Sequence, residues 1–421
     1  MGGWKAEDGR RKDRIMPLCA ITGMGIISSL GLTVDDFWFN LLAGRHAIEP
    51  AFILGESAPI WQSPVGTAFH PEEFVGDPRV LRNASRFSLY ALAATTEALK
   101  DADLGELDSE RTGIIFGTSM GGVPELVDAQ ARYDSQGIHK VPARLMAAVI
   151  PNMAASQIAM RYHLHGPQLT LSTACASSID SIGLASSLIS AGVIDVAICG
   201  GMENLLTPVV SASLWHAHAL SQGKRAEEAS MPFDQHRTGF VMGEGAAVVI
   251  LESLAHARAR NVPVLAFVYG YASLADAYHV TAPEPSGQWE AMAMNQALRS
   301  SGFSPWDIDL VLAHGTGTPV GDQAEIRAIG QVYAHAHPAV TSIKGHLGHS
   351  MGASGAMSVI AAVKAMHAGR VPHTLGTREL DEEVNFDVVL GEPRVKNIKT
   401  VQVNAFGFGG QNASLVIASS Q

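Results

Sequence analysis

Short apolar runs along the chain end in glycine-rich turns, and small-residue segments with helical spacing follow them. Leu89, Leu92, Ala93, Thr96 and Leu99 recur three and four residues apart, which predicts a helix over 88–99. Thr112 to Phe116 predicts a strand that runs into Gly117-Thr118-Ser119-Met120-Gly121-Gly122. Gln168 to Thr173 predicts a strand, Ala174 to Ala191 a helix stopped by Gly192, and Ile194 to Cys199 the next strand. Strand, turn and helix in repeated alternation predict an α/β fold.

The C-terminal part echoes this pattern. Leu310 to Ala313 enters Gly315-Thr316-Gly317-Thr318 as the earlier strand enters Gly117-Thr118, and a small-residue helix over 352–368 is closed by Gly369 as the other is by Gly192. Gly239-Phe240 and the strand Ala246 to Leu251 resemble Gly407-Phe408 and the strand Ala413 to Ala418. The echoes predict two half-molecules of one topology, joined near residues 255–265.

Composition narrows the classes. Hydrophobic residues are 47% and charged residues 16%, which excludes disorder and coiled coil for the chain as a whole. A net charge of −11 disfavours a nucleic-acid binder. Three cysteines, Cys19, Cys175 and Cys199, are too few for a disulfide framework and fit a reducing, cytoplasmic setting. Arg10, Arg11, Lys12 and Arg14 before the apolar stretch Leu18 to Leu32 mimic a signal peptide, but Thr22, Gly23, Gly25, Ser28, Ser29 and Gly31 interrupt it. A buried strand and turn are expected there, with residues 1–15 a disordered leader and Met16 an alternative start. The apolar run Ile182 to Gly201 carries Gly192 and Asp195, so it reads as helix, turn and strand and not as a membrane span.

Residues 117–121 and 348–352 both match G-x-S-x-G, the strand-to-helix serine turn of α/β-hydrolases. No acid lies between Ser350 and His373, and no histidine follows Asp381, so a triad on Ser350 cannot be completed in order. The order leaves Ser119 open. His346-x2-His349 and His335-x-His337 lack the further ligands a metal needs, so no metal site is expected. Cys175 follows a strand and opens a small-residue helix, where unpaired amides and the helix dipole favour thiolate. Cys19 and Cys199 lie inside apolar strands and read as inert. His314 stands at a strand end, and His349 stands just before a small-residue helix; both are places where α/β sheets put their sites. Asn404-Ala405-Phe406-Gly407-Phe408-Gly409-Gly410 supplies a loop whose amides can approach a ligand. One thiol and two imidazoles suit thioester chemistry, with hydrogen bonds to a developing enolate oxygen.

Six motifs in register carry a resemblance: STACASS around Cys175, PFDQHRTGFVMGEGA from Pro232, DAYHVTAPEPSG from Asp276, HGTGTPVGDQAE from His314, KGHLGHSMGASG from Lys344 and NAFGFGGQN from Asn404. Over residues 16–421 the chain resembles the β-ketoacyl-acyl-carrier-protein synthases of the thiolase superfamily, of the synthase II type. The resemblance implies a thiolase-like α/β fold, two similar halves stacked as five layers (α-β-α-β-α). Residues 16–260 would carry the nucleophile and residues 261–421 the histidines. It implies Cys175 as acyl acceptor, His314 and His349 as the pair promoting malonyl decarboxylation, and Lys344 organising the site, held by Glu325. The amides of Cys175 and Phe408 would form the oxyanion hole, and Phe408 with the Asp276 loop would gate the pocket. Thr316 and Thr318 would bind the phosphopantetheine arm, and Met120 would close the acyl tunnel.

Substrates would arrive on acyl carrier protein, with no cofactor. A homodimer is implied, and a heterodimer with a related subunit is the alternative. The carrier is expected to be acidic, so docking on this acidic chain needs a local basic patch. Arg79, Arg82 and Arg86 before a helix, and Lys224-Arg225 in a loop, supply candidates. Ser358 stands where the family often has Glu, Thr238 where it often has Asp, and Gln411 where it has Thr. GTGT at 315–318 also occurs in polyketide-type synthases. Fatty-acid elongation, a polyketide or specialised-lipid ketosynthase and a non-elongating partner subunit are therefore carried forward together, and Cys175 speaks against the last.

Overall fold

The computed structural model describes residues 19–53, 55 and 59–420; the expected leader at 1–15 and the start at Met16 lie outside them. The first half supplies β1 (Cys19–Ser28), β2 (Thr112–Gly117), β3 (Gln168–Leu171), β4 (Val196–Glu203) and β5 (Gly245–Ser253). The second supplies β6 (Ala266–Ala275), β7 (Leu310–Leu312), β8 (Ala339–Thr341), β9 (Thr400–Gly407) and β10 (Gln411–Ala418). Hydrogen bonding orders them β8-β7-β9-β10-β6-β1-β5-β4-β2-β3, with the short strand Asp387–Val388 beyond β8.

Outward from the middle, each half runs first, fifth, fourth, second, third. In each, the fifth strand is antiparallel to the first and fourth, and the second is parallel to the third and fourth. Order and direction coincide, so the halves are two copies of one topology, as the sequence echoes predict. Strands β1 and β6 join them only over Cys19–Ile21.

Five helices complete the layers. Helix α1 (Arg86–Asp101) covers the outer face of the first half through β1 and β5. Helices α3 (Gln288–Ser301) and α4 (Pro319–Val332) pack together, α3 lying on β6 and β10 of the second half. Between the halves lie α2 (Ser177–Ser190), which touches β2 and β4 on one side and β6 and β10 on the other, and α5 (Ser354–Ala368), which touches β5 and β9. The result is the expected α-β-α-β-α stack.

A helix between two halves of a sheet must be narrow and apolar all round. Helix α5 buries Ala356, Met357, Val359, Ile360, Ala361, Ala362, Val363 and Ala365, with Ser354, Gly355 and Ser358 among them. Close approach also fixes α1 on β1, where a Cβ on Gly25 would overlap the Ala94 carbonyl. Among the described residues, no helix is long and apolar enough to cross a membrane; the run 182–201 is the end of α2, a turn and part of β4.

Several boundaries differ from expectation, and those around the later site matter most. The strand from Gln168 stops at Leu171, and the helix expected from Ala174 opens with a 3₁₀ turn, Ala174–Ala176, before α2 begins at Ser177. The strand expected at 194–199 spans Val196–Glu203 instead, because Gly200 and Gly201 continue pairing with Val248 and Ala247. That extension carries an acid, Glu203, into the interior.

Gly25→Ala should lower stability by about 1–3 kcal/mol, the usual cost of overpacking a filled core, in chemical denaturation followed by circular dichroism. An unchanged midpoint would show that α1 moves off β1 at no cost.

Candidate functional site

The turn that presents Cys175 is strained. Ala174 has φ 50, a left-handed value that costs a residue with a Cβ about 1 kcal/mol or more. It is held by Ser177, whose Oγ donates to the Ala174 carbonyl (2.7 Å) and accepts from the Thr173 amide (2.9 Å). Buried Asp180 on α2 accepts from Thr173 Oγ1 at 2.5 Å and from the Tyr271 hydroxyl of β6 at 2.7 Å, fastening this turn to the second half. The second half repeats the device: Met351, φ 43, opens a 3₁₀ turn, Met351–Ala353, just before α5.

These matched turns bring Cys175 and His349 together. Cys175 Sγ lies 3.0 Å from His349 Nε2, and His349 Nδ1 lies 2.9 Å from Ser354 Oγ. The His314 ring centroid is 5.2 Å from that of His349, nearly perpendicular. Phe240 flanks His349 and Phe406 flanks His314. The sulfur and a nitrogen from each imidazole all lie within 4.8 Å of one another. Those three atoms could also hold a soft cation, but Lys344 sets a positive charge beside them: its Nζ is 3.4 Å from His314 Nδ1 and donates to the His314 carbonyl.

Burial decides the protonation states. It holds both imidazoles well below the ordinary histidine value, with Lys344 adding to the effect, so both are neutral. It pushes the Cys175 thiol up to about 11, with Lys344 opposing and Glu203 assisting. The thiolate expected at a helix start is therefore not the resting form: desolvation outweighs the amides of Phe408 and Cys175, which face the sulfur. A neutral thiol donates to His349 Nε2. Burial also lowers Lys344 to about 8, with Glu325 pulling the other way. An ammonium facing Nδ1 of His314 fixes that ring with its proton on Nε2.

Glu325 does not grip Lys344 directly; no ion pair joins them among the described residues. Its two oxygens accept from the amides of His314 (2.8 Å) and Gly315 (2.6 Å). It therefore fixes the loop after β7 and acts on Lys344 through space. Asp322, on the first turn of α4, does the same for the next residues: it accepts from the amides of Thr316 (2.9 Å), Gly317 (3.0 Å) and Phe233 (2.7 Å). Thr316 and Thr318 then stand hydroxyl to hydroxyl at 2.9 Å.

Asp276 is buried and anchors its loop: it accepts from the Glu284 amide (2.9 Å) and from Asn412, and its own amide donates to Gly410 (2.9 Å). Gly409 donates to Val280 at 2.9 Å, so this loop and the Phe408 loop are tied together. Phe408 itself is 42% exposed. Met120 is 51% exposed on the chain, which excludes ordinary core filler.

Arg79 and Arg82 are exposed before α1, Arg79 beside Asp77 (3.5 Å). Lys224 and Arg225 are exposed, and Arg225 is paired with Glu228. Arg86 is structural: it donates to Gly66 O (2.9 Å) and to Tyr90, and its guanidinium lies over the Tyr90 and Phe69 rings. Ser350 is buried with its hydroxyl toward the Glu244 carbonyl (3.5 Å), and Ser119 bonds Glu203, so neither serine meets an imidazole. Both ring nitrogens of His346 face backbone carbonyls, of Arg45 and His373, and are not free for a metal.

Sequence reasoning missed Glu203, Asp180, Asp322 and Ser354. A buried acid closing an apolar strand, as Glu203 does after Gly200-Gly201, is the signal that could have found the first.

The chain is similar to known proteins along most of its length. Residues 18–257 match the model of the β-ketoacyl synthase N-terminal domain, and residues 265–378 that of its C-terminal domain. The chain is 35% identical over 406 residues to the 3-oxoacyl-[acyl-carrier-protein] synthase 2 of Coxiella burnetii, covering 94% of this chain and 97% of that one. Among solved structures it resembles the ishigamide ketosynthase/chain length factor (TM-score 0.90, 31% identity, 96% and 100% covered). It also resembles a type II PKS acyl-carrier protein complex with its ketosynthase bound to the hexaketide (TM-score 0.88, 25% identity, 96% and 99% covered).

Removing the Lys344 cation should raise the thiol further. In Lys344→Met, iodoacetamide should alkylate Cys175 several-fold more slowly at pH 8, by peptide mapping. An equal or faster rate would show that Lys344 does not act on the sulfur.

Proposed function

The chain belongs to the β-ketoacyl synthase family, and we propose that it elongates acyl chains by decarboxylating Claisen condensation, as in fatty-acid synthesis. One observation carries the reading: a buried thiol 3.0 Å from His349, with His314 and the Lys344 ammonium directly behind.

In the first step His349 Nε2 takes the Cys175 proton, and the sulfur attacks the acyl thioester of a carrier protein. The amides of Cys175 and Phe408 stabilise the oxyanion, and the departing pantetheine thiolate regains the proton from His349. Ser354 Oγ can donate or accept, so His349 changes tautomer without losing its partner. Malonyl-carrier protein then enters. Its thioester oxygen takes hydrogen bonds from Nε2–H of His314 and His349, CO2 leaves, and the charge collects on the enolate oxygen. The enolate carbon attacks the Cys175 thioester and expels the thiolate, which takes up one proton from solvent to restore the resting thiol. The product is a 3-oxoacyl chain two carbons longer. Lys344 fixes the His314 tautomer, and Glu325 fixes the His314 backbone. Thr316 and Thr318 hold the phosphopantetheine arm, and Phe408 with the Asp276 loop gates it. No cofactor beyond that arm is drawn on.

Arg79, Arg82, Lys224 and Arg225 are proposed to meet the acidic carrier, Arg225 by exchanging Glu228 for it. Met120, Leu126, Tyr133, Ile138, Met146 and Met160 are exposed apolar side chains, and β3 pairs on one side only. Both support a second subunit, a copy of this chain or a related one. Three cysteines outside any disulfide support the cytoplasm as its setting.

The ketosynthase of a polyketide or specialised-lipid pathway is the second reading, favoured by the likeness to the ishigamide ketosynthase. A non-elongating subunit needs no convergence of Cys175, His314 and His349, and that convergence counts against it.

Cys175→Ala should take up no acyl group from acyl-carrier protein, by intact mass. His314→Ala should still be acylated but should decarboxylate malonyl-carrier protein about 10²–10³ times more slowly. An adduct on Cys19 or Cys199, or undiminished decarboxylation, would refute the assignment. Met120→Phe should block long acyl chains while sparing short ones, with Met120→Ala extending the limit. Equal loss at every length, tracking a lower melting temperature, would leave Met120 without a role in selectivity.

A further inference from the structure

Glu203 closes β4 with no exposed surface, yet the mechanism above does not use it. Its carboxyl gathers four donors from two parts of the chain. Oε1 accepts from Thr118 Oγ1 at 2.9 Å, and Oε2 from the Ser119 amide (2.7 Å), Ser119 Oγ (2.5 Å) and the Gly352 amide (3.0 Å). Thr118 and Ser119 begin the loop that presents Met120. Gly352 lies in the strained turn three residues after His349.

This is a tight junction. A Cβ on Gly352 would lie 2.8 Å from both the Ser119 amide nitrogen and the Thr118 Cα. The loop has further ties toward the nucleophile: Ser172 Oγ donates to the Ser119 carbonyl at 2.9 Å, and the Thr118 amide to the Leu171 carbonyl at 3.0 Å. Burial pushes the Glu203 carboxyl up, but four donors converge on its two oxygens, which is the environment of an anion. The charged and titratable groups acting on the Cys175 sulfur are then Lys344, His349 and His314 from the second half and Glu203 from the first.

We propose that Glu203 is a positioning residue that clamps the Met120 loop to the His349 turn. The inference rests on the reading of Cys175 as acyl acceptor and of Met120 as the end of the acyl pocket. Acyl length is then read by a loop bolted to the reaction centre, so a chain that displaces Met120 strains the turn beside His349.

The test uses the full chain with Glu203→Gln, which keeps the shape, removes the charge and turns one acceptor into a donor. Iodoacetamide should alkylate Cys175 several-fold faster at pH 8 than in the unmodified chain, since the negative charge that opposes the thiolate is gone. Cys19 and Cys199 are buried, and peptide mapping separates them from Cys175. Acylation by carrier proteins of graded chain length, read by intact mass, should lose its length cut-off. Ser119→Ala removes one donor and keeps the charge, so it should blur the cut-off and leave the alkylation profile in place.

An unmoved alkylation rate in Glu203→Gln overturns the link between Glu203 and the reaction centre. Equal loss at all lengths in Ser119→Ala, in step with its melting temperature, overturns the clamp, and this arm stands if Glu203→Gln does not fold. Absence of any acyl adduct on the unmodified chain would instead refute the parent reading, while the alkylation profile would still report on Glu203.

Discussion

A thiol and an imidazole from opposite halves meet at 3.0 Å, and the rest of the architecture serves that contact. Neither half contains both groups. They meet because α2 and α5 share the space between two halves of the sheet, and only small residues allow it. A Cβ on Gly355 of α5 would lie 2.5 Å from Ile179 of α2, and one on Gly201 would lie 2.6 Å from Ser178. Gly117 abuts the Ser177 backbone with no room for a side chain. Duplicated topology then does the aiming: each half places a left-handed residue and a 3₁₀ turn just before its central helix, and one turn carries the sulfur while the other follows the imidazole.

Bringing these groups out of water has a consequence the fold has to manage. Desolvation drives the thiol up, the imidazoles down and Lys344 down, all toward uncharged forms. A neutral thiol beside a neutral base is stable and unreactive until a substrate makes proton transfer worthwhile. Glu325 and Asp322 spend their oxygens mainly on backbone amides, so their negative charge shapes loops and does not meet Lys344 as a close pair.

Much of this was legible in the sequence because the signals were local. Gly192 and Gly369 mark helix ends, alternation marks α/β, and Cys175, His314 and His349 each stand at a junction of strand or turn with helix. What escaped depended on distance through space. Nothing near Glu203 in the chain says that Thr118, Ser119 and Gly352 will converge on it from 85 and 149 residues away. The resting thiol was also misjudged. A helix start is visible in sequence, but the depth of burial that overrides it is a property of the packed layers.

In the proposed mechanism, access and activation share one segment. Phe408 projects its ring outward while its amide faces the Cys175 sulfur. Gly409 is tied to Val280 and Gly410 to Asp276, so the Phe408 loop and the Asp276 loop form a single hydrogen-bonded unit. Swinging the Phe408 ring aside by a backbone motion would carry its amide away from the sulfur. If Phe408 gates the site and its amide serves the oxyanion as proposed, the gate acts only when closed, and entry of the arm and attack on the thioester fall in sequence.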